Sequence, residues 1–314
     1  MGVSRIIVLL AVALMADTAM ASAPARKKID HDVNLSCPKH ELIRGQDFES
    51  GVNRRFFGKH VARDSVSRKC LPCWDGLFSA KGKYSRNIRA RQYYGGGIVG
   101  LPVRYRLEYD NGKYVLNLKI HFNFGKRPYF ITTKSYVQDD IDFCRMSGLP
   151  VVFRKLTKRQ AAKKFFLRPW LWKKLRKDGV EGCYARTKAE KELYAKWLLK
   201  EAERIWFVDM LRYTTQPVDF KFDYEPVRRK ARFKVNMYDS YFRNFYLSSW
   251  DTTFTPHAAA HEIGHMLGLN DEYYEFKPRN KDCDDMTSLM CNSDPPARLK
   301  KYHYYIVLRR LWCG

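Results

Sequence analysis

Acidic residues are scarce in this chain of 314 residues: 33 Asp and Glu stand against 58 Lys and Arg, a formal net charge of +25. Lys81 to Arg91 and Arg154 to Arg176 hold no acid at all, the second with ten basic residues interleaved with Phe165, Phe166, Trp170 and Trp172. Such an excess favours anionic surroundings such as lipid headgroups, acidic polymers or acidic protein. Pro169 interrupts the second stretch, so it does not read as one long membrane-surface helix. A solvated insertion is the preferred reading there. Long apolar runs are absent after the first 21 residues, so no later segment is long and apolar enough to cross a membrane as a helix. Internal repeats are also absent. Cys70-Leu71-Pro72-Cys73 has no companion C-x-x-C, which leaves a zinc ribbon without half of its ligands.

Residues 1–21 read as a cleavable secretory signal: Arg5 begins it, Ile6 to Met15 is apolar, and Ala19-Met20-Ala21 has the small-residue pattern of a cleavage site. The apolar run is far short of the ~20 residues needed to span a bilayer. The expected location is therefore secreted or periplasmic. Loss of this segment removes Arg5 and Asp17 together, so the net charge of +25 is unchanged. Export makes disulfide partners of Cys37, Cys70, Cys73, Cys144, Cys183, Cys283, Cys291 and Cys313, although eight cysteines allow 105 connectivities. Hydrophobic residues make up 45% of the chain, enough for a sizeable core.

Residues 22–100 form a basic, cysteine-containing N-terminal region that ends at Gly95-Gly96-Gly97. It reads as a propeptide, an accessory domain or an elaboration of the fold. From Val103 the chain alternates in the strand period, Val103 to Asp110 and Lys113 to Phe124 flanking Asn111-Gly112, a strong hairpin dipeptide. Thr187 and Glu190 form a capping-box pattern before a helix to Phe207, with Tyr194, Trp197, Leu198, Ala202 and Ile205 at helical spacing. Val218 to Tyr224 and Ala231 to Tyr238 alternate as strands, a looser strand follows around Phe245 to Ser249, and Arg298 to Trp312 reads as a closing helix. In that helix Arg309 interrupts the apolar stripe begun by Tyr302, Tyr305 and Ile306, and His303 is expected on the surface. The fold class expected is α+β.

The stretch that carries chemistry is Thr255 to Glu272, T-P-H-A-A-A-H-E-I-G-H-M-L-G-L-N-D-E. Thr255 as N-cap and Pro256 at the first helical position open a helix, and Gly268 suits the left-handed turn that ends it. His261 and His265, four apart, leave one helix face one turn apart, where two neutral imidazoles can close on one Zn²⁺. Glu262 follows the first of them without competing for the ion. His257 lies one turn earlier again, too far along the axis at about 1.5 Å per residue to share the ion. It is expected to line the cleft or contact solvent.

Gly268 and Asp271 extend the pattern to H-E-x-x-H-x-x-G-x-x-D, and Ser288-Leu289-Met290 has the form of a methionine-bearing turn. In these motifs the chain resembles the metzincin zinc metallopeptidases, closely over His261 to Met290 and in layout from Leu101 to the C-terminus. Asp271 stands where the usual third ligand is His, as in the snapalysin-like subgroup, with the anionic Glu272 beside it. The resemblance implies a mixed sheet with a long helix, a zinc-binding active-site helix and a C-terminal helix over 101–314. It further implies one catalytic Zn²⁺ held by His261, His265 and Asp271, and Met290 beneath the metal without bonding it. Glu262 becomes the general base in a secreted endopeptidase acting on peptide or protein substrates. Cys283 and Cys291 are the preferred local disulfide, stapling the loop into the methionine turn. The competing expectation is a secreted basic binding protein for anionic envelope, glycan or nucleic acid, with a structural or vestigial zinc site. Of these partners nucleic acid is the least expected.

Overall fold

The computed structural model describes residues 72, 74–94, 99–133, 143–155, 177–239, 248–272 and 285–313. The signal segment, the three cysteines before residue 74, Cys283, the Gly95–Gly97 joint and most of the basic run 154–176 lie outside them. No described helix is long and apolar enough to cross a membrane.

A short helix α1 (Gly76–Ser79) leads into a mixed sheet of β1 (Lys83–Tyr94), β2 (Val99–Asp110), β3 (Lys113–Asn123), β7 (Val218–Tyr224), β8 (Phe233–Tyr238) and β9 (Ser249–Asp251). A second sheet joins β4 (Tyr129–Thr132), β6 (Val180–Ala185) and β5 (Val152–Arg154), with α2 (Phe143–Met146) between β4 and β5. The long helix α3 (Lys188–Met210) follows β6, α4 (Pro256–Met266) follows β9, and α5 (Lys301–Leu308) closes the chain through a 3₁₀ turn, Arg309–Leu311. The molecule is thus α+β.

The strands form because their residues alternate. On β3, Tyr114, Leu116, Leu118, Ile120 and Phe122 are buried while Lys113, Lys119 and Asn123 are exposed, a pattern that suits a sheet with one face to water. Asn111 (φ 44°) and Gly112 (φ 95°) both occupy the left-handed region that a tight two-residue hairpin demands, and β2 pairs antiparallel with β3 across them. Beyond the hairpin, β7, β8 and β9 all join as parallel strands. The Ile120 carbonyl accepts from Glu225 N–H at the end of β7, and the Lys119 carbonyl accepts from Arg232 N–H at the start of β8. Carbonyls of consecutive strand residues point to opposite edges, so β7 takes one edge of β3 while β2 and β8 share the other in succession.

The basic run Lys81 to Arg91, set apart by composition, contains the outer strand of this sheet: β1 pairs with β2 along its whole length, from Lys83↔Asp110 to Tyr94↔Val99. Residues 83–94 are therefore hydrogen-bonded into the same sheet as the strands downstream of residue 101.

The helices pack on the apolar face. Thr187 caps α3 with a full capping box, its hydroxyl accepting from Glu190 N–H and the Glu190 carboxylate accepting from Thr187 N–H. The helix runs three residues past the Phe207 expected from its stripe. Trp206 of α3 is fully buried among Phe220, Phe222 and Tyr304, and its indole N–H donates to the Ala260 carbonyl of α4 at 3.1 Å. Tyr304 of α5 donates in turn to the Trp206 carbonyl at 2.7 Å. These buried bonds tie α3, α4 and α5 together and fix α4 at the centre of the packed layer.

Candidate metal centre

The side chain of Thr255 accepts from Ala258 N–H, and Pro256 holds the first helical position without a donor to satisfy, so α4 starts where local chemistry directs. It ends after Met266, and Gly268 (φ +88°) takes the left-handed turn. The guanidinium of Arg310, itself buried, donates to the Leu267 and Gly268 carbonyls left open at that end. A Cβ at Gly268 would run into that guanidinium.

The turn at Gly268 delivers Asp271 to the histidines. His261 Nε2 and His265 Nε2 lie 3.1 Å apart, and Asp271 Oδ1 lies 3.2 Å from the first and 3.1 Å from the second. All three residues are buried, with 6%, 3% and 9% of their surface exposed. His261 Nδ1 is 2.7 Å from the Leu289 carbonyl, and His265 Nδ1 is 2.9 Å from the Leu269 carbonyl. A carbonyl only accepts, so both Nδ1 atoms carry the proton, and each neutral ring presents the lone pair of Nε2 to the same point.

That point fits a metal. Asp271 Oδ1 is buried and close to both Nε2 atoms, yet it stands in hydrogen-bonding geometry with neither. Three potential ligand atoms thus converge on one place. A tetrahedral ion bound at about 2.0–2.1 Å has ligand-to-ligand edges of roughly 3.3 Å, close to the triangle seen here. Among the described residues this is the one group of three His, Cys, Asp or Glu side chains close enough to share an ion.

Without a cation the cluster stores a proton. Burial opposes charge on His265, but the Asp271 carboxylate beside it, with Glu262 and the Leu269 carbonyl, outweighs that and raises the ring to about 9. Burial likewise opposes charge on Asp271, yet the two imidazoles hold its carboxyl far below the usual range. Glu262, buried next to the first ligand, is pushed up by loss of hydration, with His265 and His261 pulling the other way and Asp271 adding to the rise.

Glu272, the other carboxylate at the bend, turns away from this cluster. Its Oε1 accepts from His303 Nε2 of α5 at 2.8 Å, and its backbone N–H donates to the Met290 carbonyl at 3.0 Å. His303 Nδ1 accepts from Lys300 N–H, which fixes the tautomer that donates to Glu272. Both side chains are almost fully buried, so His303 is an interior residue and not the surface imidazole expected from the helix pattern. Arg309, which breaks the apolar stripe in the sequence, is also fully buried, because the chain tightens into a 3₁₀ turn there. His257 sits apart from the cluster, half-buried, with its basicity lowered by burial and by nearby Arg204.

Met290 lies under α4, its Sδ 2.5 Å from where a Cβ on Gly264 would be, so any larger residue there would force the Met290 side chain to shift. The same turn supplies the Leu289 carbonyl that orients His261. Cys291, next in the chain, is disulfide-bonded; Cys283, its expected partner, lies outside the described residues.

Comparison with known protein families, curated proteins and solved structures finds no match. What the site can do is therefore argued from its donors alone: two neutral imidazoles and a carboxylate suit a borderline divalent cation such as zinc, and three protein ligands leave a fourth position open. The pair Glu272–His303 and the capping Arg310 were not singled out by sequence patterns. The only local signal was position, a histidine in the first turn of the closing helix.

Proposed function

We propose that the protein is a metzincin-like zinc endopeptidase that hydrolyses peptide bonds with Glu262 as general base. The observation that carries the reading is the buried triangle of His261 Nε2, His265 Nε2 and Asp271 Oδ1 with a raised, buried Glu262 alongside. The element order supports it: long helix, parallel strands, metal helix, methionine turn and closing helix follow one another as the resemblance implies.

His261 and His265 would hold the ion through Nε2, each kept in register by the carbonyl its Nδ1 serves, and Asp271 would complete the set. A zinc ion in such a site supplies Lewis-acid chemistry, acidifying water towards about pH 7 and polarising a carbonyl. Glu262 accepts the proton of the attacking water and delivers it to the leaving amine. Its burial suits the first half of the task, because loss of hydration raises the carboxylate's affinity for a proton. A purely structural zinc has no use for such a glutamate.

The test is a Glu262→Gln protein assayed against a mixed peptide library with and without chelator. It is expected to keep its zinc while cleavage falls by about 10²–10⁴-fold, the usual worth of a general base. Undiminished cleavage by this variant, or cleavage by the wild type that ignores the chelator, would reject the reading.

A further inference from the structure

The face of the sheet turned away from the helices is open to water and carries an ordered set of cations. Cross-strand partners share a face, so the pairing registers place Arg89 directly opposite Arg104, and His121 directly opposite Lys234. Arg232 lies two residues before Lys234, with its N–H on the Lys119 carbonyl, so Lys119, His121, Arg232 and Lys234 occupy consecutive outward positions along β3 and β8. Successive positions on one strand face are about 6.6–6.8 Å apart, which makes this a regular row and not a diffuse cloud of charge.

Acids neutralise the hairpin end of this face, where Lys83 pairs with Asp110, Arg106 with Glu108 and Lys113 with Asp219. At the other end compensation is sparser. Arg89, Arg104, Arg232 and Lys234 are exposed and make no ion pair among the described residues, while Lys119 stands opposite Asp223 of β7 and 3.8 Å from the carboxylate of Glu225. The β7–β8 connection adds Arg228, Arg229 and Lys230 beside it, all exposed. Like charges directly opposite each other on paired strands weaken a sheet, so folding alone gives no reason for Arg89 to face Arg104.

We propose that this open sheet face binds a linear acidic polysaccharide through the cations of β1, β2, β3 and β8. Charge complementarity selects a polyanion, and what else the face lacks selects among polyanions. Its described outward positions carry one aromatic, Tyr238 at the far end of β8, so it offers no run of rings on which the successive bases of a single strand could stack. Nor do they present a large apolar side chain that would enter the acyl layer of a membrane. A disulfide such as Cys144–Cys183 suits an oxidising compartment outside the cytosol, where carboxylated or sulfated glycans are polyanions at hand. The surface is distinct from the metal centre, which sits on the helical side of the sheet, and its occupancy does not require hydrolysis.

The experiment compares the full chain with two double variants of equal charge change. Arg104→Glu with Lys234→Glu alters the face; Lys188→Glu with Lys196→Glu alters the solvent side of α3. Binding is titrated at physiological salt against a sulfated polysaccharide, a polyuronate, duplex DNA and anionic phospholipid vesicles. The face variant is expected to lose glycan affinity about tenfold or more, with a shallower salt dependence, while the α3 variant stays within about twofold of wild type. Arg104→Gln with Lys234→Gln, which removes charge without reversing it, is expected to fall between them. Equal losses in the face and α3 variants would reduce the effect to net charge and overturn the proposal. Wild-type affinity in a folded face variant, or tighter binding of DNA or vesicles than of either glycan, would overturn it as well.

Discussion

Asp271 and Glu272 are neighbours of equal charge, and only one of them reaches the histidines. The pairing Glu272–His303 decides this, because it commits the second carboxylate to α5 and leaves the first free to turn inwards. Glu272→Ala is therefore expected to weaken zinc binding by loosening the bend that carries Asp271, with Glu272→Gln recovering much of it. Competitive chelator titration reads both. A second outcome concerns protons. His265 in the metal-free protein is raised to about 9 by its carboxylate neighbour, so the stability of that pair is fully present below about pH 6.5, the ordinary value, and is lost as pH rises through 9. Metal must displace the same proton. Apparent zinc affinity should therefore climb about tenfold per unit from pH 7 towards 9 and then level off, and metal-free protein should lose thermal stability over the interval where the loaded protein does not. A flat affinity profile would show that no proton is displaced.

At the scale of the element, α4 shows how much of the site is written locally. Its cap, its first-turn proline, its terminal glycine and the spacing of its histidines act within a few residues, and sequence patterns reach them directly. Its underside is different. Gly264 is one of many residues a helix would accept, and only the nearness of Met290 makes its missing side chain essential. Gly264→Ala improves helix propensity in isolation, yet here overpacking against Met290 Sδ should cost about 1–3 kcal/mol by denaturant unfolding. Because the displaced turn carries the Leu289 carbonyl, zinc affinity should fall with it; a stabilised variant with unchanged zinc affinity would contradict the packing. The closing helix was legible in outline but not in content. Its stripe breaks at Arg309, and no periodicity tells that Arg309, Arg310 and His303 are all interior.

For the whole molecule, the eight cysteines announced disulfides without saying which. The fold joins Cys144 in α2 to Cys183 in β6, 39 residues apart, and so locks the smaller sheet to the helix beside it. Replacing both by alanine should cost about 3–4 kcal/mol, chiefly by releasing the unfolded chain from a closed loop, and the loss should appear as a lower denaturation midpoint. A midpoint that does not move would mean that packing alone holds α2 in place. Charge behaves similarly: the excess of Lys and Arg is plain from composition, but its partition into a neutralised end and an unpaired end of one sheet face depends on strand register.

By itself the amino-acid order determined what spans a turn or two: the metal helix and its limits, the alternation of the central strands, the hairpin at Asn111-Gly112, and the capping box of α3. These follow from backbone geometry and short-range hydrogen bonds, which repeat wherever the same residues recur. The tertiary structure alone decided which carboxylate faces the histidines, which tautomers they hold, which cysteines meet and which lysines and arginines stand unpaired. Most of those outcomes rest on contacts between residues distant in the chain, such as His261 with Leu289, Glu272 with His303 and Cys144 with Cys183, where packing and burial, and not local periodicity, set the energy.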